Sequence, residues 1–146
     1  MARKRSQSQL AAAARVRHVL AMDAANVMKR LHQRQDEMVR LFSRLRDRSP
    51  LMNTVHTWFT TITLAELQLL EPPEQHAVNA FYELLDELRW YLEYTEEMPT
   101  HVREKLTRFI RRLDEGHRAL TAAIGPADAT GAPVVDAKVV HRHRTG

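Results

Sequence analysis

The stretch of sequence that decides the fold is residues 10–45, LAAAARVRHVLAMDAANVMKRLHQRQDEMVRLFSRL. Alternate steps of three and four from Leu10 reach eleven positions, of which nine are apolar, and Arg17 and Arg34 are the exceptions. This spacing is that of an amphipathic α-helix rather than a strand, and its seven-residue repeat also suits coiled-coil packing. We therefore predict a first helix over residues 6–48.

Proline and glycine divide the rest of the chain. Prolines at 50, 72–73 and 99 each open a segment with apolar residues at helical spacing, and Gly125-Pro126 is a stop signal. We predict helices over residues 50–70, 73–95 and 100–124, with a strand over residues 58–64 as the alternative where threonine is frequent. The expected fold is all-α: a four-helix bundle over residues 1–124, followed by a disordered, basic tail over residues 125–146.

Composition excludes several classes of protein. A chain of 146 residues with 44% apolar and 27% charged residues is typical of one globular domain. The absence of cysteine excludes disulfide scaffolds, zinc ribbons, iron–sulfur sites and thiol catalysis, and 4 glycines leave little for a phosphate-binding loop. Since no run of about 18 apolar residues occurs, we expect no membrane span.

Charge is strongly segregated along the chain. Residues 1–50 hold 12 Lys/Arg against 4 Asp/Glu, residues 51–100 hold 1 against 9, and residues 101–146 hold 9 against 5. The net charge of +4 therefore hides a basic, acidic, basic order. This order suggests that one part of the protein complements another, within a chain or between chains.

The first helix is longer than its predicted neighbours. Unbroken, it would extend about 64 Å, whereas the other three would extend about 30–37 Å. Either it breaks, with Asp23 as the N-cap of its second half, or its N-terminal half projects. A projecting half would expose an apolar row beside basic residues, which usually marks a contact site. On this basis we predict partner contacts at Leu10, Val16 and Leu20.

The predicted third helix carries a second candidate surface. Tyr82, Trp90 and Tyr94 recur at helical spacing among carboxylates, and aromatic anchors inside a polar rim are frequent binding hot spots. The alternative is that they cover the bundle core with their hydroxyl groups outward. We predict that these three residues bind the partner.

Basic residues on the first and last predicted helices are candidate phosphate contacts. Arginine suits bidentate phosphate binding, although a solvated face with ordinary i,i+4 ion pairs is the alternative. No base-reading motif accompanies them, so a nucleic acid would be held by its backbone. The candidates are Arg15, Arg17, Lys29, Arg30, Arg40, Arg44, Arg48, Arg108, Arg111 and Arg112.

Catalytic and metal-binding patterns are absent from the sequence. No two of the 8 histidines lie four residues apart, and Asp114 with His117 is the one acid–histidine spacing that approaches a helical metal motif. The carboxylates of residues 83–97 have no evident pocket that would separate their pKa values for acid–base catalysis. We expect no enzyme activity, cofactor, metal or small-molecule substrate.

The sequence therefore predicts a helical interaction or scaffold subunit. It would self-associate or dock in a larger assembly through the basic first helix and the acidic, aromatic third helix. The alternative function is a small nucleic-acid-associated subunit that contacts backbone phosphates. The acid-free, Ser- and Ala-containing N-terminus resembles a transit peptide, but we expect a cytoplasmic protein.

Overall fold

The computed structural model describes residues 5–44 and 47–127, and these residues form helices and turns without a strand. The elements are α1 (Gln7–Arg44), α2 (Ser49–Thr54), a 3₁₀ turn (Phe59–Thr61), α3 (Leu64–Leu67), α4 (Pro72–Tyr94) and α5 (Pro99–Ile124). The predicted all-α class is confirmed. The predicted disordered tail lies outside the described residues from residue 128 onward.

Helix α1 is continuous. Its 38 residues correspond to about 57 Å at the usual rise per residue. The expected alternative, a break with Asp23 as an N-cap, does not occur, because the Asp23 carboxylate accepts hydrogen bonds from Thr57, Trp58 and Tyr82 instead of capping its own helix.

The apolar row of α1 is covered by the protein itself. Val16 is 6% exposed and Leu20 is fully buried, so the prediction that these two side chains are exposed is wrong. Arg5 pairs with Glu71 at 3.5 Å, which places the beginning of α1 beside the beginning of α4. The predicted projection of the N-terminal half is therefore not confirmed. Leu10, one turn from the beginning of α1, is exposed.

The three long helices pack around one core. Side-chain contacts pair Asp23 with Tyr82 and Phe42 with Tyr91, so α4 runs parallel to α1. Helix α5 contacts both closely and runs antiparallel to them, because later residues of α1 and of α4 meet earlier residues of α5. The core consists of the inward faces of these helices together with a few residues between α1 and α4, among them Leu51, Val55 and Leu70.

The chain returns from the end of α1 to the beginning of α4 through residues 48–71, called the crossover here. The prediction of one helix over residues 50–70 is wrong, and so is the alternative strand over residues 58–64. Only α2, the 3₁₀ turn and α3 form, because side chains of α1 bind the crossover backbone: Arg30 donates to the carbonyls of Thr54 and His56, and Asp23 accepts from the Trp58 N–H. A backbone held at these points cannot wind into one continuous helix.

Local signals fix the boundaries of α3, α4 and α5. Thr63 and Glu66 form a capping box at the beginning of α3, and prolines open α4 and α5. Helix α5 passes through Gly116 without interruption and ends at Ile124; the next residue, Gly125, has a φ of 97°, which favours glycine. The predicted helices 73–95 and 100–124 therefore match α4 and α5 closely.

Candidate functional site

Two aromatic side chains on α4 point away from the core. Trp90 is 62% exposed and Tyr94 is 65% exposed, and their ring centroids lie 5.4 Å apart. They lie on the same side of α4 as Glu83 and Glu87, opposite the buried row that includes Leu85 and Leu88. We call Glu83, Glu87, Trp90 and Tyr94 the α4 outer face. Exposure of this kind is unusual for large aromatic residues and marks a candidate contact surface.

Carboxylates surround the two aromatic residues. Within the described ranges, no ion pair joins Glu83, Asp86, Glu87 or Glu93 to a basic side chain. Arg89 is the one arginine of α4, which contains no lysine. A depression of about 610 Å³ lies between Trp90 and Tyr94 and their charged neighbours. The surface therefore combines exposed aromatic area with an excess of carboxylates over basic side chains.

A groove of about 620 Å³ adjoins this surface between α4 and the crossover. Its apolar lining includes Val55, Phe59 and Leu85, and its polar lining includes Asp86 and Arg89, which also line the depression beside Trp90. The groove and the α4 outer face thus form one continuous surface.

Asp23 fixes the wall of the groove from inside. Its carboxylate accepts hydrogen bonds from Thr57 Oγ1 at 2.5 Å, Tyr82 Oη at 2.7 Å and the Trp58 N–H at 2.9 Å. Phe59 stacks on Tyr82 with ring centroids 4.1 Å apart. Burial and the charge of Asp23 raise the pKa of the Tyr82 hydroxyl, which therefore remains a donor at neutral pH.

Tyr82 is consequently a structural residue. It is 5% exposed, so the prediction that it shares an exposed face with Trp90 and Tyr94 is wrong. Eight helical residues turn the side chain by about 80° beyond two full revolutions, which carries Tyr82 to the flank beside the crossover. The predicted exposed positions that remain are Leu10, Trp90 and Tyr94, and Leu10 lies on a different helix from the two aromatic residues.

A second polar cluster lies at the C-terminal end of α4. Arg48 donates to the carbonyls of Leu92 and Thr95 at 2.9 and 3.2 Å, and its guanidinium carbon lies 4.2 Å from the Phe42 ring centroid. These bonds satisfy carbonyl groups at the end of α4 that have no helical partner. Arg48 is thus a helix-terminating contact and not a free phosphate ligand.

Tyr91 belongs to the same end of the protein. Lys105 pairs with Glu97 at 2.7 Å and lies 5.5 Å from the Tyr91 ring centroid. The buried Tyr91 hydroxyl and Glu97 Oε1 have no hydrogen-bond partner among the described residues. Burial and the charge of Glu97 raise the pKa of Tyr91 to about 12.

The structure divides the predicted phosphate contacts into two groups. Arg17 pairs with Glu74 at 2.8 Å, Arg40 pairs with Glu37 at 2.9 Å, and Arg30 and Arg48 bind backbone carbonyls. The second group has neither a carboxylate within 4.0 Å among the described residues nor a bond to a backbone carbonyl there. Its members are Arg15, Lys29, Arg44, Arg108, Arg111 and Arg112. They are exposed on α1 and α5.

Sequence reasoning missed two parts of the site. Trp58 stands at an apolar position of the helical spacing that predicts a helix over residues 50–70, but its side chain is exposed on the crossover, with its ring centroid 4.8 Å from that of His56. The Asp23 network was also missed, although an acid among the apolar residues of a long amphipathic helix is a signal that the carboxylate has buried partners.

No metal centre or membrane span is present in the described part of the chain. No group of three or more potential metal ligands is found within residues 5–44 and 47–127. Asp114, the acid of the one metal-like spacing, lies 2.9 Å from His32 Nε2. Among the same residues, no helix has the length and apolar character that crossing a bilayer requires.

Comparisons of the chain with models of known protein families, with curated proteins and with solved structures found no match. The geometry of the described residues therefore carries the functional argument.

Proposed function

We propose that this protein is a non-enzymatic interaction subunit whose α4 outer face binds a basic, amphipathic segment of a protein. The observation that carries the proposal is the exposure of Trp90 and Tyr94 among carboxylates that form no ion pair within the described residues. The protein would act in the cytoplasm and would need no cofactor. Its compact helical body would hold the binding face rigid.

Two physical terms favour such a partner. Covering two exposed aromatic side chains removes apolar surface from water, and exposed Trp and Tyr are frequent anchors of binding energy. Opposite charges around the anchors accelerate encounter and reject acidic partners. The adjoining groove, with its apolar floor, offers further area for side chains of the bound segment.

Tryptophan fluorescence provides the test. The chain has 2 tryptophans, so a Trp58→Phe variant leaves Trp90 as the only one. The probe is a synthetic helical peptide of about 18 residues, long enough for about 27 Å, with leucine on one face and lysine on the other. We expect a saturable blue shift of Trp90 emission, and binding that weakens as salt is raised.

Charge-reversal variants identify the face. Glu83→Lys with Glu87→Lys should weaken peptide binding by at least about 10-fold, which corresponds to about 1.4 kcal/mol. Glu104→Lys with Glu115→Lys makes the same charge change at exposed positions of α5 and should have a much smaller effect. Equal weakening by both pairs, or equal binding of a matched leucine–glutamate peptide, would overturn the proposal.

The alternative function is contact with the phosphate backbone of a nucleic acid. The specific observation in its favour is a depression of about 260 Å³ lined by Tyr91, Lys105, Arg108, Phe109 and Arg112. Guanidinium groups beside an aromatic ring suit a single strand, because phosphates and bases are then bound at adjacent points.

A salt series tests this alternative. Binding of a single-stranded oligonucleotide should weaken steeply with salt, and Arg108→Glu with Arg112→Glu should abolish it. Reversal of Arg40 and Arg44 to Glu should have less effect, because Arg40 already pairs with Glu37. Binding that survives the change at Arg108 and Arg112 would reject the α5 depression as the contact.

A further inference from the structure

We propose that the segment bound by the α4 outer face is helix α1 of a second copy of this chain. This inference rests on the proposed function and names its partner. The contact would join two different faces of two identical molecules. Such a head-to-tail contact repeats from one copy to the next.

The matching surface lies on the solvent side of α1. Val19 and Met22 are each 44% exposed, three residues apart, and Arg15 and Lys29 lie on the same side of the helix. We call these four residues the α1 outer face. Their side chains are not part of the core, although the neighbouring Val16, Leu20 and Ala24 are.

The α1 outer face has positive charge that nothing nearby cancels. From residue 5 to residue 35 the only acid is Asp23, which is buried and bonded to the crossover and Tyr82. Neither Arg15 nor Lys29 has a carboxylate within 4.0 Å among the described residues. The excess of basic residues in the first part of the chain is thus exposed on α1.

The two faces complement each other in pattern. The α1 outer face has an apolar pair three residues apart between basic residues, and the α4 outer face has an aromatic pair four residues apart beside acidic residues. Both pairs span about one helical turn. Two helices packed side by side can therefore bring the apolar pair of one copy against the aromatic pair of the other. Parallel packing of the two helices then brings Arg15 near Glu87 of the other copy, and antiparallel packing brings Lys29 near Glu83.

The arrangement of the helices determines the form of the assembly. Helices α1 and α4 each pack closely on α5 and on α2 of the crossover, and their outward faces therefore lie on opposite sides of the body. When two copies are joined, one α1 outer face and one α4 outer face remain free. The contact therefore does not produce a closed dimer. The expected product is an assembly that gains copies as the concentration rises, as an open chain or as a ring of three or more copies.

Two face-blocking variants test this arrangement. The first carries Val19→Glu and Met22→Glu, and the second carries Trp90→Lys and Tyr94→Lys, so each keeps one intact face. Leu64→Glu, at an exposed apolar position on the crossover, is the matched control. Circular dichroism confirms that each variant retains the helical content of the parent.

Sedimentation velocity is then measured from about 10 μM to about 1 mM at about 0.05 M salt, where surface charges are weakly screened. We expect the parent and the Leu64→Glu control to sediment faster as concentration rises. Each face-blocking variant should remain monomeric alone, and their equimolar mixture should form a 1:1 dimer and nothing larger.

Other results would overturn the inference. A parent that stays monomeric throughout shows that no such contact forms. Association of either variant alone, or no association in their mixture, shows that copies meet through other surfaces. If the lysine–leucine peptide still shifts Trp90 emission in these cases, the proposed function stands and only the identity of the partner is wrong. If the peptide also fails, both are wrong.

Discussion

Replacing Asp23 by asparagine tests how α1 holds the crossover and the groove wall in place. The carboxylate accepts three hydrogen bonds in a buried setting, and asparagine keeps the volume but offers one acceptor oxygen and two unwanted donors. Hydrogen bonds to a charged group contribute about 1.5–3 kcal/mol each, and leaving buried donors unsatisfied costs about 1–3 kcal/mol. Because these contributions overlap, we expect a total loss of about 3–5 kcal/mol.

Urea denaturation followed by circular dichroism measures this loss, and Tyr82→Phe provides the matched smaller change. Phenylalanine removes only the 2.7 Å bond to Asp23 and keeps the ring stacked on Phe59, so about 1.5 kcal/mol should be lost. The double variant should lose less than the sum of the two single losses, because the two residues share a bond. A loss below about 0.5 kcal/mol for Asp23→Asn, typical of an exposed site, would refute the reasoning.

Three further changes probe the helices and the acid response. Gly116→Ala should stabilise the protein by about 0.5–1 kcal/mol in urea denaturation, because the glycine lies inside α5 and an added Cβ would meet its nearest side chain at 3.6 Å, an ordinary contact. Destabilisation would show that the neighbouring side chains leave no room for the Cβ. Arg48→Ala should cost about 1.5–3 kcal/mol through its bonds to α4 carbonyls, whereas exposed Arg44→Ala should change stability by less than about 0.5 kcal/mol, and equal effects would contradict the helix-terminating role. Burial tends to raise the pKa of Glu74, but hydrogen bonds from Arg17 and the Glu71 backbone outweigh it and the pKa is lowered. The stability from Glu74 is therefore present above its unfolded pKa of about 4.3 and lost as pH falls through the lower folded value, so Glu74→Gln should flatten the acid side of the stability–pH curve; an unchanged curve would contradict this.

Helical periodicity predicted the class of the fold and the positions of α1, α4 and α5. It failed at residues 50–70, where apolar residues at helical spacing are present but the backbone carbonyls and N–H groups are bound by Arg30 and Asp23. Periodicity describes which side of a segment is apolar. It contains no information about a distant side chain that competes for the backbone hydrogen bonds of that segment.

The candidate site was predicted in part for a similar reason. Trp90 and Tyr94 are a turn apart and are exposed together, as expected from their spacing. The prediction for Tyr82 was wrong because residues eight apart in a helix do not point in the same direction. The prediction for Val16 and Leu20 was wrong because the length of α1 alone could not show that the crossover and α5 would cover these side chains. Exposure at these positions depends on tertiary packing.

Amide chemical shifts recorded with and without the lysine–leucine peptide test the central claim most directly, because every residue reports separately. We predict that the shifted amides cluster at residues 83–94 and along the adjoining crossover groove. Shifts confined to α5 around Arg108 and Arg112, or spread evenly over the chain, would contradict the assignment of α4 as the binding surface.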